Sequence, residues 1–165
     1  MNRYTYVLGG IVAVGMAAVL AGGVMAQTQG AELVKQRKTE MGQMSKAFGP
    51  LIAIVKGESE DFAAALESAK TMNTNAKRIV ANFSAGTGRE AVPQSRAKPE
   101  IWTKRVEFEA AAAKLVEESD KLIGAVNSKD VQTFRTQFKA YGAACGACHK
   151  GPKKSGGKFR FEEEL

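Results

Sequence analysis

Two cysteines and a histidine lie within five residues near the end of the chain, in the run Cys145-Gly146-Ala147-Cys148-His149. This is a C-x-x-C-H motif, the arrangement in which haem is attached covalently to a protein. Two thiols three positions apart lie on the same side of a helix, so each can form a thioether with a vinyl group of the porphyrin. The imidazole that follows can bind the iron as its proximal axial ligand. The motif therefore predicts one covalent haem c held by Cys145, Cys148 and His149.

Other uses of two nearby cysteines are a redox pair, a zinc site and two buried thiols without a chemical role. A thioredoxin-like pair follows a strand and opens a helix, whereas here a helical pattern runs into the motif. Zinc would need further Cys or His ligands, and the chain has two cysteines and one histidine in all. Peroxidase-like catalysis would need a distal acid–base group such as histidine. Because the only histidine is already assigned, we do not expect an enzyme.

The first 26 residues predict an export signal. Arg3 is their only charged side chain, and an uncharged apolar run ends in the small-x-small sequence Val24-Met25-Ala26. The run is also just long enough for an uncleaved membrane anchor, but its glycines and its ending favour cleavage. We therefore expect residues 1–26 to be a signal peptide and residues 27–165 to form a single periplasmic haem domain, with no membrane attachment after cleavage.

The composition is that of a globular protein with a basic surface. Of the 165 residues, 44% are hydrophobic and 25% charged, which excludes general disorder. The net charge of +7 favours acidic partners but is too evenly spread to indicate nucleic acid binding. Four lysines beyond the motif predict a basic rim that steers acidic redox partners, or else a solvated tail. They are Lys150, Lys153, Lys154 and Lys158.

Apolar residues recur every three or four positions in four stretches, which predicts four amphipathic helices and no strands. The first runs from Ala31 to about Lys56, where Gly57 is a suitable stop. The second begins after Ser59, a suitable N-cap, and continues to about Phe83. Because most connections are short, the predicted all-α fold is an antiparallel four-helix bundle.

The second half of the chain contains a long loop and two further helices. Residues 85–98 include two glycines and a proline and are predicted to be the loop. The third helix begins at Pro99 and is interrupted at Asn127 and Ser128, either of which could cap the fourth. The fourth has the clearest apolar face, which ends in the two cysteines before Gly151-Pro152 stops the helix. We therefore expect the haem beside the C-terminal helix, inside the bundle.

These features together resemble the class II c-type cytochromes, which comprise cytochrome c′ and its low-spin, methionine-ligated relatives. The resemblance covers nearly all of the chain after the signal. It implies a monohaem protein of the periplasm that transfers electrons and often forms homodimers through its first two helices. The similar segments are Arg37-x-x-x-Met41-x-x-Met44 with Pro50 and Lys56-Gly57-Glu58, Pro99-Glu100-Ile101-Trp102, and Tyr141-Gly142-Ala143-Ala144-Cys145.

The resemblance places Met41 on the distal side of the iron. In the low-spin relatives a methionine at this position binds the iron, and Met/His ligation raises the reduction potential. In cytochrome c′ the residue only crowds the iron, which stays five-coordinate and binds small neutral ligands such as NO or CO. The alternative function is therefore a gas-binding haem protein. Met41 could also be core filler, and Met44 is expected to line the pocket.

The resemblance also implies haem contacts for Arg37 and Trp102. Arg37 falls on the apolar seam of the first helix, where an unpaired guanidinium is costly, and the family places an arginine here beside the haem propionates. Alternatively, the Arg37 side chain extends to solvent. For Trp102, the alternative to a haem contact is that its ring anchors the core. The family usually has a Phe-Arg pair soon after the histidine. Here Phe159-Arg160 follows an insertion, so we assign that arginine no role.

Overall fold

The computed structural model describes the backbone of residues 10–149 and 156–161, with side chains from Thr28 onward in those ranges. Within them it has four long helices and one short helix. They are α1 (Gly10–Lys56), α2 (Phe62–Asn82), α3 (Glu100–Thr103), α4 (Arg105–Asn127) and α5 (Val131–Gly146). α1 packs on α2, α2 on α4, and α4 on α5, which closes back on α1. The predicted all-α four-helix bundle is confirmed.

α1 begins at Gly10 rather than at Ala31. The segment between them contains no proline that would interrupt a helix, so the helix extends back into the predicted signal peptide. In the part of the chain whose side chains are described, no helix is both long and apolar enough to cross a membrane. Cleavage after Ala26 stays a prediction.

α1 ends where the sequence predicts, at a glycine. Gly57 has φ of 76°, a left-handed conformation that other residues adopt only at a cost. Its N–H donates to the carbonyl oxygen of Ile54 at 3.0 Å, and the N–H of Glu58 donates to that of Ala53 at 2.8 Å. These two bonds form a Schellman motif, which satisfies the last carbonyls of α1 and turns the chain towards α2.

Two aspartates cap α2 and α5 in place of the predicted residues. Each carboxylate accepts a hydrogen bond from the N–H three positions on, at 2.9 Å for Asp61 and 2.7 Å for Asp130. The predicted caps were wrong: Ser59 and Ser128 lie two positions earlier and accept from the aspartate N–H groups, and Asn127 is the last residue of α4. An ionised carboxylate also interacts favourably with the helix dipole.

The third predicted helix is two helices, α3 and α4, separated at Lys104, where φ is −118° and ψ is 47°. Side chains on both sides of this break bind the free carbonyl groups at the end of α2. The indole N–H of Trp102 donates to the carbonyl oxygens of Phe83 and Ser84 at 3.2 and 3.0 Å. The Arg105 guanidinium donates to that of Phe83 at 2.9 Å. The break therefore fixes α3 to the end of α2.

The core fills the space between the four long helices and includes side chains from each of them. Its fully buried large side chains are Leu51, Ile54, Met72, Ile101, Leu122, Val126, Phe134 and Tyr141. Residues 156–161 fold back beside the loop that precedes α3, where Ala97 and Arg160 form an isolated antiparallel bridge. This return brings the end of the described chain against the end of α5.

Candidate haem site

α5 carries the C-x-x-C-H motif at its C-terminal end. The helix ends at Gly146, earlier than predicted, and the predicted stop at Gly151-Pro152 lies outside the described residues. Beyond the helix the backbone keeps a tightened turn. The N–H groups of Cys148 and His149 both donate to the carbonyl oxygen of Cys145, at 3.2 and 3.4 Å. The turn keeps the two thiols on one side of the chain, with the imidazole directly after them.

Both thiols are half-buried and pack against the apolar core. Met41 and Trp102 are also half-buried and pack against this core from other elements, while Met44 is buried within it. The structure thus places the motif and these three predicted pocket residues around one continuous apolar core. Their contacts with the haem stay predictions.

Tyr141, one helical turn before Cys145, was not predicted as a site residue. Its side chain is fully buried, with its ring 6.1 Å from that of Phe48. The hydroxyl makes no hydrogen bond to a nitrogen or oxygen in the described chain, and burial beside the Cys145 thiol raises its pKa. The Cys145 thiol beside it is a weak hydrogen-bond acceptor that partly satisfies this hydroxyl.

The pKa of Cys145 and its position on α5 distinguish haem attachment from disulfide exchange. Burial raises the pKa of Cys145 to about 11, whereas redox-active cysteines have lowered pKa values and lie at helix N-termini. Cys145 lies at a helix C-terminus, where the helix dipole disfavours a thiolate. Among the described residues no group of three or more His, Cys, Asp or Glu side chains could hold a metal ion. The redox-pair and zinc alternatives therefore have no support in the site.

Arg37 is buried, with 6% of its surface exposed, and does not extend to solvent. Its guanidinium donates to the hydroxyl and carbonyl oxygens of Thr87, both at 2.9 Å, and to the hydroxyl of Ser95 at 3.1 Å. It also lies 4.3 Å from the centre of the Phe83 ring. Burial lowers its pKa to about 10, so it stays charged at neutral pH. The loop after α2 thus binds this charge, and its predicted propionate contact stays a prediction.

Trp102 behaves as an anchor for the same loop. Its ring lies so close to Gly88 that a Cβ there would meet ring carbons at 3.1 and 3.3 Å. The indole N–H is already bonded to the end of α2. The arrangement supports the core-anchor alternative that the sequence left open.

The structure places Phe159, whose neighbour Arg160 was assigned no role from the sequence, beside the motif. The Phe159 N–H donates to the carbonyl oxygen of Cys148 at 3.1 Å. Its ring is buried and lies 5.4 Å from that of Phe108. The available signal was the Gly156-Gly157 pair, which gives the backbone freedom for a return before an aromatic residue.

These residues fit a covalently bound haem c. Two half-buried thiols face an apolar core and an imidazole follows them, which is the donor set that a covalently attached, apolar porphyrin requires. The family model described as Cytochrome C' matches residues 32–151. The chain belongs to the cytochrome c′ family. The predicted resemblance to class II c-type cytochromes is confirmed, and with it a monohaem protein that carries one covalent haem c.

Relatives across the cytochrome c′ family match most of this chain. Cytochrome c-556 from Agrobacterium fabrum is 38% identical over 120 residues, which cover 71% of this chain and 77% of the relative. The crystal structure of cytochrome c′ from Rubrivivax gelatinosus matches with a TM-score of 0.69 and 26% identity, over 80% of this chain and 97% of that one. A ferrous variant of cytochrome c′ from Alcaligenes xylosoxidans with bound NO matches with a TM-score of 0.69 and 25% identity, over 81% and 97%.

Proposed function

We propose that this cytochrome is a periplasmic electron carrier, exported by residues 1–26 and active as the haem domain of residues 27–165. The observation that carries the proposal is the position of the motif, whose two thiols pack against the bundle core at the end of α5. When bound, the haem supplies an iron that gains and loses one electron. Cys145 and Cys148 tether the ring, His149 binds the iron, and the apolar core excludes water.

In this proposal Met41 is the second axial ligand. It lies on α1, is half-buried, and packs against the same core as the two cysteines. A thioether there fills the sixth coordination position, so that the iron exchanges electrons without binding gases, and Met/His ligation raises the reduction potential. Met44, which is buried in the core, lines the pocket.

The absorption spectrum tests the role of Met41. The carrier proposal predicts a sharp, split reduced spectrum and a weak ferric band at long wavelength. We expect Met41→Ala to abolish that band. Met44→Leu, which replaces a methionine three residues away with a side chain of similar volume, should keep it. A wild-type protein that lacks the band and binds CO readily in its ferrous form would exclude methionine ligation.

The second candidate function is the binding of NO or CO by a five-coordinate iron. The observation that favours it is the match to the Alcaligenes protein whose ferrous form holds NO. In this function Met41 crowds the distal side without binding the iron. The same spectra decide between the two functions, because CO binds readily only where the sixth position is open.

We propose acidic redox proteins as partners and no enzymatic activity, nucleic acid binding or membrane attachment. Cationic side chains gather where the loop before α3 meets residues 156–161. Arg89 and Lys98 lie 4.5 and 5.7 Å from the Phe161 ring, and Lys158 pairs with Glu107. Three lysines of the predicted rim lie outside the described residues; they are Lys150, Lys153 and Lys154. A homodimer through α1 and α2 stays a prediction, which sedimentation would test.

A further inference from the structure

We propose that residues 156–161, which we call the strap, position the axial ligand His149 by clamping its backbone against the end of α5. The inference rests on the proposed ligation of the iron by His149. It assigns a positioning role to Gly157 and Phe159, which follow the insertion after the motif. Three independent sets of contacts support it.

The first is a backbone-to-backbone contact that only glycine permits. A Cβ built on Gly157 would lie 2.3 Å from the Cα of His149 and 2.7 Å from the carbonyl oxygen of Cys148. Both neighbours are backbone atoms at the end of a helix and cannot rotate away as a side chain could. The strap therefore lies directly on the residue that carries the imidazole.

The second is a hydrogen bond to the motif. The Cys148 carbonyl group lies in the turn just beyond the end of α5. The Phe159 N–H donates to its oxygen at 3.1 Å. The strap also folds tightly on itself, because the Gly157 N–H donates to the carbonyl oxygen of Arg160 at 2.8 Å. The first bond holds the peptide that immediately precedes His149, and the second keeps the strap compact.

The third is an anchor on the far side of the strap. The Lys98 N–H donates to the carbonyl oxygen of Phe159 at 3.1 Å, and the Phe161 N–H donates to that of Arg96 at 2.9 Å. The Phe159 side chain is only 3% exposed and packs edge-on against Phe108 of α4. The strap thus joins the motif to the loop before α3 and to α4.

These contacts matter for the iron because the end of a helix and the residues just beyond it fray unless other parts of the chain hold them. The direction of an axial imidazole depends on the position of its own backbone, and groups beyond the ligand tune a metal site. A clamp on both the Cys148 carbonyl and the His149 Cα limits this freedom. We therefore expect a loosened strap to change the iron–imidazole bond, as well as the stability of the chain end.

The first test is Gly157→Ala in haem-loaded protein, with Gly142→Ala as the matched control. Gly142 is on α5 and a Cβ there has no neighbour within 4 Å. We expect Gly157→Ala to shift the ferric electron paramagnetic resonance signal. We also expect its reduction potential to rise, because a less firmly held imidazole donates less electron density to ferric iron. Hydrogen exchange in the strap should become faster, and Gly142→Ala should leave all three measurements unchanged.

The second test replaces Phe159, so that the inference stays testable if Gly157→Ala is not matured. Phe159→Ala removes the anchor, and Phe159→Leu retains most of it. We expect the same shifts in signal and potential with Phe159→Ala, and partial or full rescue with Phe159→Leu. Faster exchange in the strap with an unchanged signal and potential would overturn the inference, as would unchanged exchange in Gly157→Ala. Failure of the proposed function would be distinguishable from failure of this inference, because the wild-type protein itself would then lack haem or His149 ligation.

Discussion

Arg37 shows how a buried charge is accommodated by neutral hydrogen-bond partners rather than by a carboxylate. Its guanidinium binds neutral oxygens of Thr87 and Ser95 and the ring of Phe83. Arg37→Met keeps the length of the side chain but leaves those oxygens without a donor. We expect the free energy of unfolding in urea to fall by about 2–4 kcal/mol. Lys38→Met, at an exposed neighbouring position, should change it by less than about 0.5 kcal/mol.

A loss for Arg37→Met no larger than that for Lys38→Met would contradict this interpretation. Arg37→Lys provides a further comparison, because a lysine keeps the charge but lacks the planar fork of donors. It should recover only part of the loss. Equal stability of the lysine variant and the wild type would show that charge, rather than geometry, is what the loop recognises.

Glu118 predicts a pH dependence. Its buried carboxylate binds Lys114 at 2.8 Å and also Gln137 and Lys121, and these bonds, that to Lys114 foremost, lower its pKa from 4.5 to about 2. A carboxyl whose pKa is lower in the folded state stabilises the fold above its ordinary pKa. This stabilisation is lost as the pH falls towards 2.

The measurement is urea unfolding of the wild type and Glu118→Gln between pH 2 and pH 6. We expect the wild type to be the more stable above about pH 4.5, and the difference to shrink steadily towards pH 2. A difference that stays constant over this range would show that Glu118 acts through packing rather than through its charge.

Among the elements, the end of α1 gives the clearest prediction. Gly57 has a left-handed backbone, whereas Gly124 lies on the exposed side of α4 with no neighbour within 4 Å of its Cβ position. Gly57→Ala should lower the free energy of unfolding by about 1–2 kcal/mol. Gly124→Ala should raise it by about 0.5–1 kcal/mol, because alanine favours a helix. A Gly57→Ala variant that is at least as stable as the wild type would refute the capping role of Gly57.

Helix periodicity predicted the elements well, and their ends less well. The apolar seams placed the four long helices, and Gly57 stopped α1 as expected, because both features depend on local sequence. The break at Lys104 was not predictable, since it depends on Trp102 and Arg105 reaching carbonyl groups at the end of α2. The caps were misassigned because serine and aspartate lie two positions apart and both are good caps.

The candidate site could likewise be predicted only in part from the sequence. The motif carries its chemistry in five consecutive residues, so spacing alone was enough to predict Cys145, Cys148 and His149 as haem ligands. The neutral partners of Arg37 lie about fifty residues along the chain from it, which no local pattern shows. For the return of Phe159 to the motif, Gly156-Gly157 indicated only that the chain could turn. Its destination depends on hydrogen bonds to the loop before α3, which no local pattern shows.

The full sequence has a net charge of +7, and removal of the predicted signal peptide, whose only charged side chain is Arg3, lowers it by one. This excess of positive charge predicts how the haem domain meets its partners. Arg89 and Lys98 lie beside the strap, and Lys129 lies at the opposite end of α5. At low salt, Arg89→Gln with Lys98→Gln should slow electron exchange with ferricyanide several-fold and leave or quicken that with hexaammineruthenium. Lys129→Gln should change neither rate. Added salt should reduce the effect of the double substitution on the ferricyanide rate. Equal slowing with both reagents would argue against steering by charge.

Haem attachment at Cys145 and Cys148 is tested most directly by the mass of protein matured in a periplasm. We predict that the chain begins after Ala26 and carries the added mass of one haem that survives denaturation. Cys145→Ala combined with Cys148→Ala should remove that added mass. Purified protein without covalent haem, or haem that remains covalently attached in the double variant, would contradict the assignment of Cys145 and Cys148 as the attachment site.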